Sequence, residues 1–406
     1  MFRRQTDLLS LISNPNGTSR IELARATGGS PAKIGKIVQR LLAAGILTEQ
    51  EPIETSRGRR PILLKPSKEL GFLMGVDIGL VNLRVVLADL QGEVLAGLQT
   101  PSPHARVDIA TALKGIFQVA DSVLERSGLP RDKLLAVGVS HSGAVDIQTG
   151  RCLYWHLAMQ WKGVDLKQVF AHHYGVPCEV DDAVHCMAIA EKVYGAARNE
   201  NTFVMINVGW SISAALFIEG ELFRGASGIA GEIGHNIVLP EGPRCYCGNR
   251  GCLEILASGK SVVDKAIAAL NENTTTALQE VAARGQGAVT LEAVCMAARS
   301  GDRLAGRLLR EAGGYIGIAV GNIVNLLNPP LIVLAGGMMS FDCNRVLLEV
   351  IRREAGASAF EVAFAKTKMV SSPLDRLSAA RGAALRATRS VLRNYWNRVF
   401  EDQAME

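Results

Sequence analysis

Aromatic residues are scarce in this chain, at 5% of 406 positions. Long apolar runs are missing as well. No stretch approaches the roughly eighteen uncharged apolar residues that a membrane-spanning helix needs, which argues against membrane insertion. Met1-Phe2-Arg3-Arg4 leads straight into a polar, periodic segment, so no signal peptide is expected. Cysteine is limited to 8 residues, three of them close together, which suggests a reducing cytoplasm and few or no disulfides. Strong overall charge is also lacking. The net +5 is uneven, however: residues 1–66 hold 11 Lys/Arg against 5 Asp/Glu, or +6, and leave −1 for the other 340. A basic module on a neutral body suggests nucleic-acid contact at one end. The length itself favours two or three domains.

The basic module has the pattern of a winged helix-turn-helix. Leu8, Leu9, Leu11 and Ile12 form a first helix, ended by Asn14-Pro15-Asn16-Gly17. Thr18 or Ser19 can cap a second helix with Ile21, Leu23 and Ala24 inward. After Gly28-Gly29, Ser30-Pro31 opens a third helix, with Ile34, Ile37, Val38, Leu41 and Leu42 at core spacing. Ser30, Lys33, Lys36 and Arg40 lie off that stripe, as DNA contacts of a recognition helix would. Arg57, Arg59 and Arg60 form a basic turn before a strand Ile62-Leu63-Leu64, suited to a minor groove or to phosphates. Lys65-Pro66-Ser67-Lys68 has the composition of a linker. The same pattern also fits a protein-binding module with a solvated basic face.

The densest signal is Gly-Glu-Ile-Gly-His at 231–235 followed by Cys-Tyr-Cys-Gly-Asn-Arg-Gly-Cys-Leu-Glu at 245–254. His235, Cys245, Cys247 and Cys252 supply one imidazole and three thiolates, which complete a tetrahedral zinc shell with no place for a reacting water. This reads as a structural Zn²⁺ site, and Gly248 and Gly251 let the backbone fold back to close it. Such a knot also fixes Glu232 and Glu254 for a polar ligand.

From Gly71 onward strands and helices alternate. Strands are expected at 72–79, 84–90 and 94–95, a helix over 109–127 and a strand at 134–139, and the theme returns at 202–208 and 214–218. The duplication suggests two α/β lobes with a ligand cleft between them.

Taken in order, the helix-turn-helix, Asp77-Ile78-Gly79, Asp181-Asp182-Ala183, Gly231 to His235, the cysteine knot, and Asn328-Pro329 through Ala335-Gly336-Gly337 resemble the ROK family of repressors and sugar kinases. The likeness covers nearly the whole chain and is greatest to the branch of bacterial glucose and N-acetylglucosamine repressors. It implies an actin-like, hexokinase-type two-lobed fold behind the winged helix-turn-helix, homodimers or homotetramers, and sugar-responsive transcription. It implies a sugar site of Asp181, Asp182, Glu232, His235 and Glu254, in which Asp182 matches the catalytic base of the kinases. Asp182 equally suits a cap for a helix over 183–194. The resemblance also implies a longer N-terminus than Met1 provides, so an N-terminal arm is expected to be missing.

The phosphate loops depart from the kinases. Where those carry Asp-x-Gly-Gly-Thr, this chain has Asp77-Ile78-Gly79-Leu80-Val81, with bulk where backbone amides must approach phosphate. The second loop reads Gly209-Trp210-Ser211, and Trp210 is expected to crowd the nucleotide. Gly336-Gly337 is intact and suits either a strand-to-helix connection or adenine contact. On the sugar side, His141-Ser142-Gly143 replaces a Pro-Gly loop, and an Asn is replaced near His156. Asp182 is then a vestigial base.

The expected protein is a cytoplasmic, zinc-stapled regulator of carbohydrate-related genes. It binds an inverted repeat in double-stranded DNA and responds to a sugar, a sugar phosphate or a protein inducer. The rival readings are an ATP-dependent sugar kinase with a DNA-binding head, and a protein-interaction sensor with no small ligand. The domain reading is 1–66 for the head, 67–183 for the first lobe with a C-terminal helix of about 383–406 packed on it, and 184–382 for the second lobe with the zinc site and oligomerisation surface.

Overall fold

The computed structural model describes residues 8–50, 62–103, 107–272, 274–280, 289–340 and 344–400. The chain forms two compact units, Met1–Val193 with Leu377–Glu406, and Tyr194–Arg376.

The head begins with a helical segment over 8–12, followed by helices Arg20–Thr27 and Pro31–Ala43 and the antiparallel strands β1 (Leu47–Gln50) and β2 (Leu63–Pro66). Ser19 starts the Arg20–Thr27 helix with a reciprocal capping box to Glu22. Ser30 caps the next helix by accepting the Lys33 N–H, with Pro31 in the first turn, where its missing N–H costs nothing. Leu8, Leu9, Ile12, Leu23, Ile34, Val38 and Leu41 form the buried core of the head. Ile21 departs from expectation. It is 66% exposed, because it sits about 200° around the helix from the buried Leu23. The expected linker is also revised. Lys65 and Pro66 belong to β2, the Ser67 N–H donates to the Ile46 carbonyl at 2.9 Å, and Lys68 pairs with Asp89 at 2.8 Å. The basic wing turn lies outside the described residues.

The body of the first unit holds β3 (Phe72–Ile78), β4 (Asn82–Asp89), β5 (Val94–Pro101), β6 (Leu134–His141) and β9 (Cys178–Asp182), with a small hairpin β7 (Ala144–Asp146) and β8 (Arg151–Tyr154). Their order in the sheet is β5-β4-β3-β6-β9. The first two pairings are antiparallel and the last two parallel. In the second unit, β10 (Phe203–Val208), β11 (Ile212–Ile218), β12 (Glu221–Phe223), β13 (Leu331–Ala335) and β14 (Lys368–Ser371) repeat the plan as β12-β11-β10-β13-β14, with the same senses. Parallel pairs need covered faces. Helix Ile109–Ser127, at the expected bounds, buries Ala112, Ile116 and Ala120 in the first core, and helix Arg303–Leu327 buries Leu308, Ile316 and Val320 in the second.

The C-terminal helix Ser378–Phe400 begins earlier than expected. It buries Ala380, Ala384 and Ala387 against the first sheet and Leu392 and Trp396 in the core of the head. Among the described residues no helix is long and apolar enough to cross a membrane.

Candidate functional site

The turn Gly231–His235 is held on β11, since the Ala214 N–H donates to the Gly231 carbonyl at 2.8 Å. The chain then returns as a narrow loop. Ile237 bridges Cys252, Val238 donates to the Gly251 carbonyl, and Cys245 donates to that of Asn249. These bonds gather His235, Cys245, Cys247 and Cys252, whose ligand atoms all lie within 4.8 Å of one another. Cys245 Sγ is 3.8 Å from His235 Nδ1, and the sulfurs of Cys247 and Cys252 are 3.7 Å apart. A tetrahedron with metal–sulfur bonds of ~2.3 Å has edges of about 3.8 Å, so the four donors fit one metal ion. Burial holds the His235 imidazole below its usual pKa, which favours the neutral form that ligates. Its Nε2 lies 3.4 Å from the Tyr246 hydroxyl. Tyr246 was not anticipated from the sequence, although its place inside the Cys-Tyr-Cys motif is a signal in retrospect.

The same loop positions the carboxylates. Glu254, in helix Leu253–Ala257, is 4% exposed and accepts the Ile212 N–H at 2.7 Å. Burial pushes its carboxyl up to about 7, against the favourable pull of that N–H. Glu232, which opens the turn before His235, is exposed.

Asp181 and Asp182 end β9 in the first unit. The Asp181 carboxylate is fully buried and well occupied. Its Oδ1 takes the Asp182 N–H at 2.9 Å and faces His185 Nδ1 at 3.0 Å, and its Oδ2 accepts from Arg386 Nε at 3.2 Å. Asp182 is part-exposed and accepts the Val184 N–H at 2.9 Å, so it does act at the start of helix Ala183–Tyr194. Asp77 is likewise engaged, with Arg84 Nη1 at 2.7 Å on one oxygen and Ser140 Oγ at 2.7 Å on the other. Sequence reasoning missed Arg84, Ser140, His185 and Arg386. Only His185, four residues after Asp181, carries a local signal.

The glycine loops at Gly79 and Gly209 are tight hairpin turns. Gly79 joins β3 to β4, and its N–H donates to the Asn82 carbonyl at 3.2 Å. Leu80 packs on the first core and Val81 is 48% exposed. Gly209 donates to the Ser211 carbonyl at 3.1 Å. The Trp210 side chain is partly buried and packs on the core of its own unit. Gly336 has φ +100°, and a Cβ there would come within 2.7 Å of the Val208 backbone, so it serves the tight connection from β13 into helix Gly337–Ser340. His141 is buried, with Nδ1 accepting the Gly143 N–H at 2.9 Å and its ring edge-on to Trp155 at 4.6 Å.

On the head, Ser30, Lys33 and Lys36 are exposed along one side of helix Pro31–Ala43. Arg40 is part-exposed and has contacts within the chain. Its guanidinium donates to the Val399 carbonyl and lies 4.3 Å from the Phe400 ring centroid, so its charge is used within the chain. Arg57, Arg59 and Arg60 lie outside the described residues.

The model of the ROK family matches residues 73–389. The chain is 29% identical to the N-acetylglucosamine repressor of Escherichia coli O6:H1 over 378 residues, 92% of this chain and 90% of that one. It is 26% identical to the xylose repressor of Caldicellulosiruptor bescii over 361 residues, 88% of each. Among solved structures it is similar to a ROK family transcriptional regulator described as a homologue of the E. coli MLC protein, with TM-score 0.77, 26% identity, and coverage of 96% of this chain and 97% of that one. A ROK family glucokinase from Streptomyces griseus, solved with glucose and AMPPNP, shares the fold at TM-score 0.66 and 24% identity, over 77% of this chain and 98% of its own.

Proposed function

The chain belongs to the ROK family, and on that basis we propose that it is a DNA-binding transcriptional regulator of carbohydrate-related genes, controlled by a sugar, a sugar phosphate or a protein inducer. The observation that carries the reading is the head. Helix Pro31–Ala43 buries its apolar stripe and leaves Ser30, Lys33 and Lys36 in solvent, the arrangement by which a recognition helix reaches base edges. Residues 1–66 are the DNA-binding domain in this reading, with Arg57, Arg59 and Arg60 gripping phosphates.

The sugar site would draw on Asp182, Glu232, His235 and Glu254, with Asp181 supporting Asp182 from behind. Carboxylates accept sugar hydroxyls, and of these residues Asp182 is part-exposed and Glu232 exposed. Zinc on His235, Cys245, Cys247 and Cys252 would supply a closed structural shell that pins Glu232 and Glu254. Phosphoryl transfer is not part of this reading. Leu80 and Val81 replace the small residues of a phosphate loop, and Asp77 is neutralised by Arg84. The protein is read as cytoplasmic and as a homodimer or homotetramer, whose two-fold symmetry calls for an inverted-repeat operator.

The test is to select duplexes from random DNA with the full-length protein, then challenge the complexes with xylose, N-acetylglucosamine and their phosphates while ADP release from ATP is followed. The reading expects an enriched inverted repeat, release by at least one sugar, and no sugar-dependent ADP. Sugar-dependent ADP release that Asp182→Asn abolishes would instead support the kinase reading.

A further inference from the structure

Two helices leave the corner formed by Asp181 and Asp182, and both end on the head. Helix Ala183–Tyr194 starts directly after Asp182, and the carbonyl of Val193 in its last turn accepts from Asn16 Nδ2 of the head at 3.1 Å. Helix Ser378–Phe400 passes the same corner at Arg386, and it buries Leu392 and Trp396 among Leu9, Ile34, Val38 and Leu41 of the head. Arg40 closes that contact from the side of the recognition helix by donating to the Val399 carbonyl. Each arm spans ten residues from corner to head, about 15 Å at 1.5 Å per residue.

Neither arm has slack near the corner. A Cβ on Gly382 would stand 1.7 Å from the Cys186 carbonyl oxygen, so the two helices touch backbone to backbone. A Cβ on Gly138 would stand 1.8 Å from the Ala383 oxygen, so the C-terminal helix also lies directly on the sheet. Packing of this kind transmits a shift as rigid motion, since there are no side chains between the backbones to absorb it. A buried carboxylate adds a polar fastening. Asp181 holds the Asp182 backbone and His185 with one oxygen and Arg386 with the other, while Arg386 Nη2 also reaches Glu179 at 3.9 Å.

We infer that Arg386 is a positioning residue that acts through Asp181 to couple ligand contact at Asp182 to the placement of the DNA-binding head. The inference rests on the regulator reading above and extends it to how the sugar signal travels. A hydroxyl that donates to the Asp182 carboxylate binds the group that already accepts the Val184 N–H, and so contacts the first turn of helix Ala183–Tyr194 through it. The Asp181–Arg386 pair makes the second helix follow the first, and both ties to the head move together. The shift is limited by how differently the sugar binds the two placements of the head. By linkage, operator DNA must weaken the sugar by the factor by which the sugar weakens DNA.

The experiment titrates a duplex selected by the full-length protein against wild type, Arg386→Met and Asn16→Ala. Each titration is done in buffer and in saturating xylose or N-acetylglucosamine. The wild type is expected to lose operator affinity on the order of 5–150-fold with the effective sugar. Arg386→Met is expected to bind DNA and sugar separately much as wild type does, while its sugar-induced loss shrinks at least about threefold. Asn16→Ala cuts the other arm at a part-buried hydrogen bond, is expected to reduce the loss in the same sense, and carries the test if Arg386→Met does not fold. Undiminished coupling in the folded variants overturns the inference and leaves the regulator reading standing. A wild type whose DNA affinity ignores both sugars overturns the inference alone, and failure of the wild type to select any duplex overturns the regulator reading with it.

Discussion

The two units repeat one sheet plan, three antiparallel strands followed by two parallel ones, and they differ in how the ends of that sheet are tied. In the second unit the ties are local. The four prospective metal ligands, Glu232 and Glu254 lie in one stretch, and β11 holds that stretch at both Gly231 and Glu254. In the first unit the ties span the chain: Arg386 meets Asp181 across 205 positions, and Arg40 meets Val399 across 359. The same scaffold thus carries a loop with four prospective metal ligands on one copy, and on the other contacts that join the C-terminal helix to the first sheet and the head.

The largest expected effect breaks the local tie. Cys252→Ser replaces a buried thiolate with a weak ligand, and should take metal content from about one zinc per chain to near zero by elemental analysis. Structural zinc contributes apparent free energies of about 10–16 kcal/mol in small zinc peptides, so the loop at 231–254 should also become open to proteolysis. Full metal content in the variant, or none in wild type, would count against the shell.

The next effect breaks the long tie. Trp396→Ala removes a side chain 6% exposed between the C-terminal helix and the head, and deletions of this size cost about 3–5 kcal/mol. Because the damage is confined to that junction, hydrogen exchange should rise across Arg20–Ala43 and stay protected in β10 and β13. Uniform loss of protection would show that the head and body are not separately fastened.

A smaller effect sharpens the head itself. Replacing Arg59 and Arg60 by Ala should weaken binding about equally on all duplexes and reduce the salt slope of log affinity by about 2, one for each phosphate that is no longer neutralised. An unchanged slope would remove the wing from the interface.

These contrasts also explain what could be read from the sequence. The His/Cys cluster was legible because its four side chains lie close together in the sequence and their combined chemistry admits few alternatives. The duplicated lobes were legible because strand and helix patterns recur, and Ile109–Ser127 fell at its expected bounds because Asp108 caps it and Gly128 ends it in a left-handed turn. Ile21 was misplaced because position on a short helix depends on which neighbours it meets, and only Leu23 and Thr27 are buried there. The contact of Arg40 with the Phe400 ring was not legible, because the two residues lie at opposite ends of the chain and nothing near Arg40 marks its partner. Arg386 carried no signal at all, since nothing within its own helix marks it as the partner of a carboxylate at the far end of a strand.

The most direct test of the account compares the sequences enriched from random duplex DNA by the wild-type chain and by Lys33→Ala. Lys33 stands exposed in the first turn of helix Pro31–Ala43, where base edges come within reach. The wild type should enrich an inverted repeat. Lys33→Ala should keep the spacing of its half-sites and lose preference at one or two base pairs in each, at about 1–3 kcal/mol per base pair. An identical motif from both proteins would take that helix out of the groove, and no motif from the wild type would contradict the regulator itself.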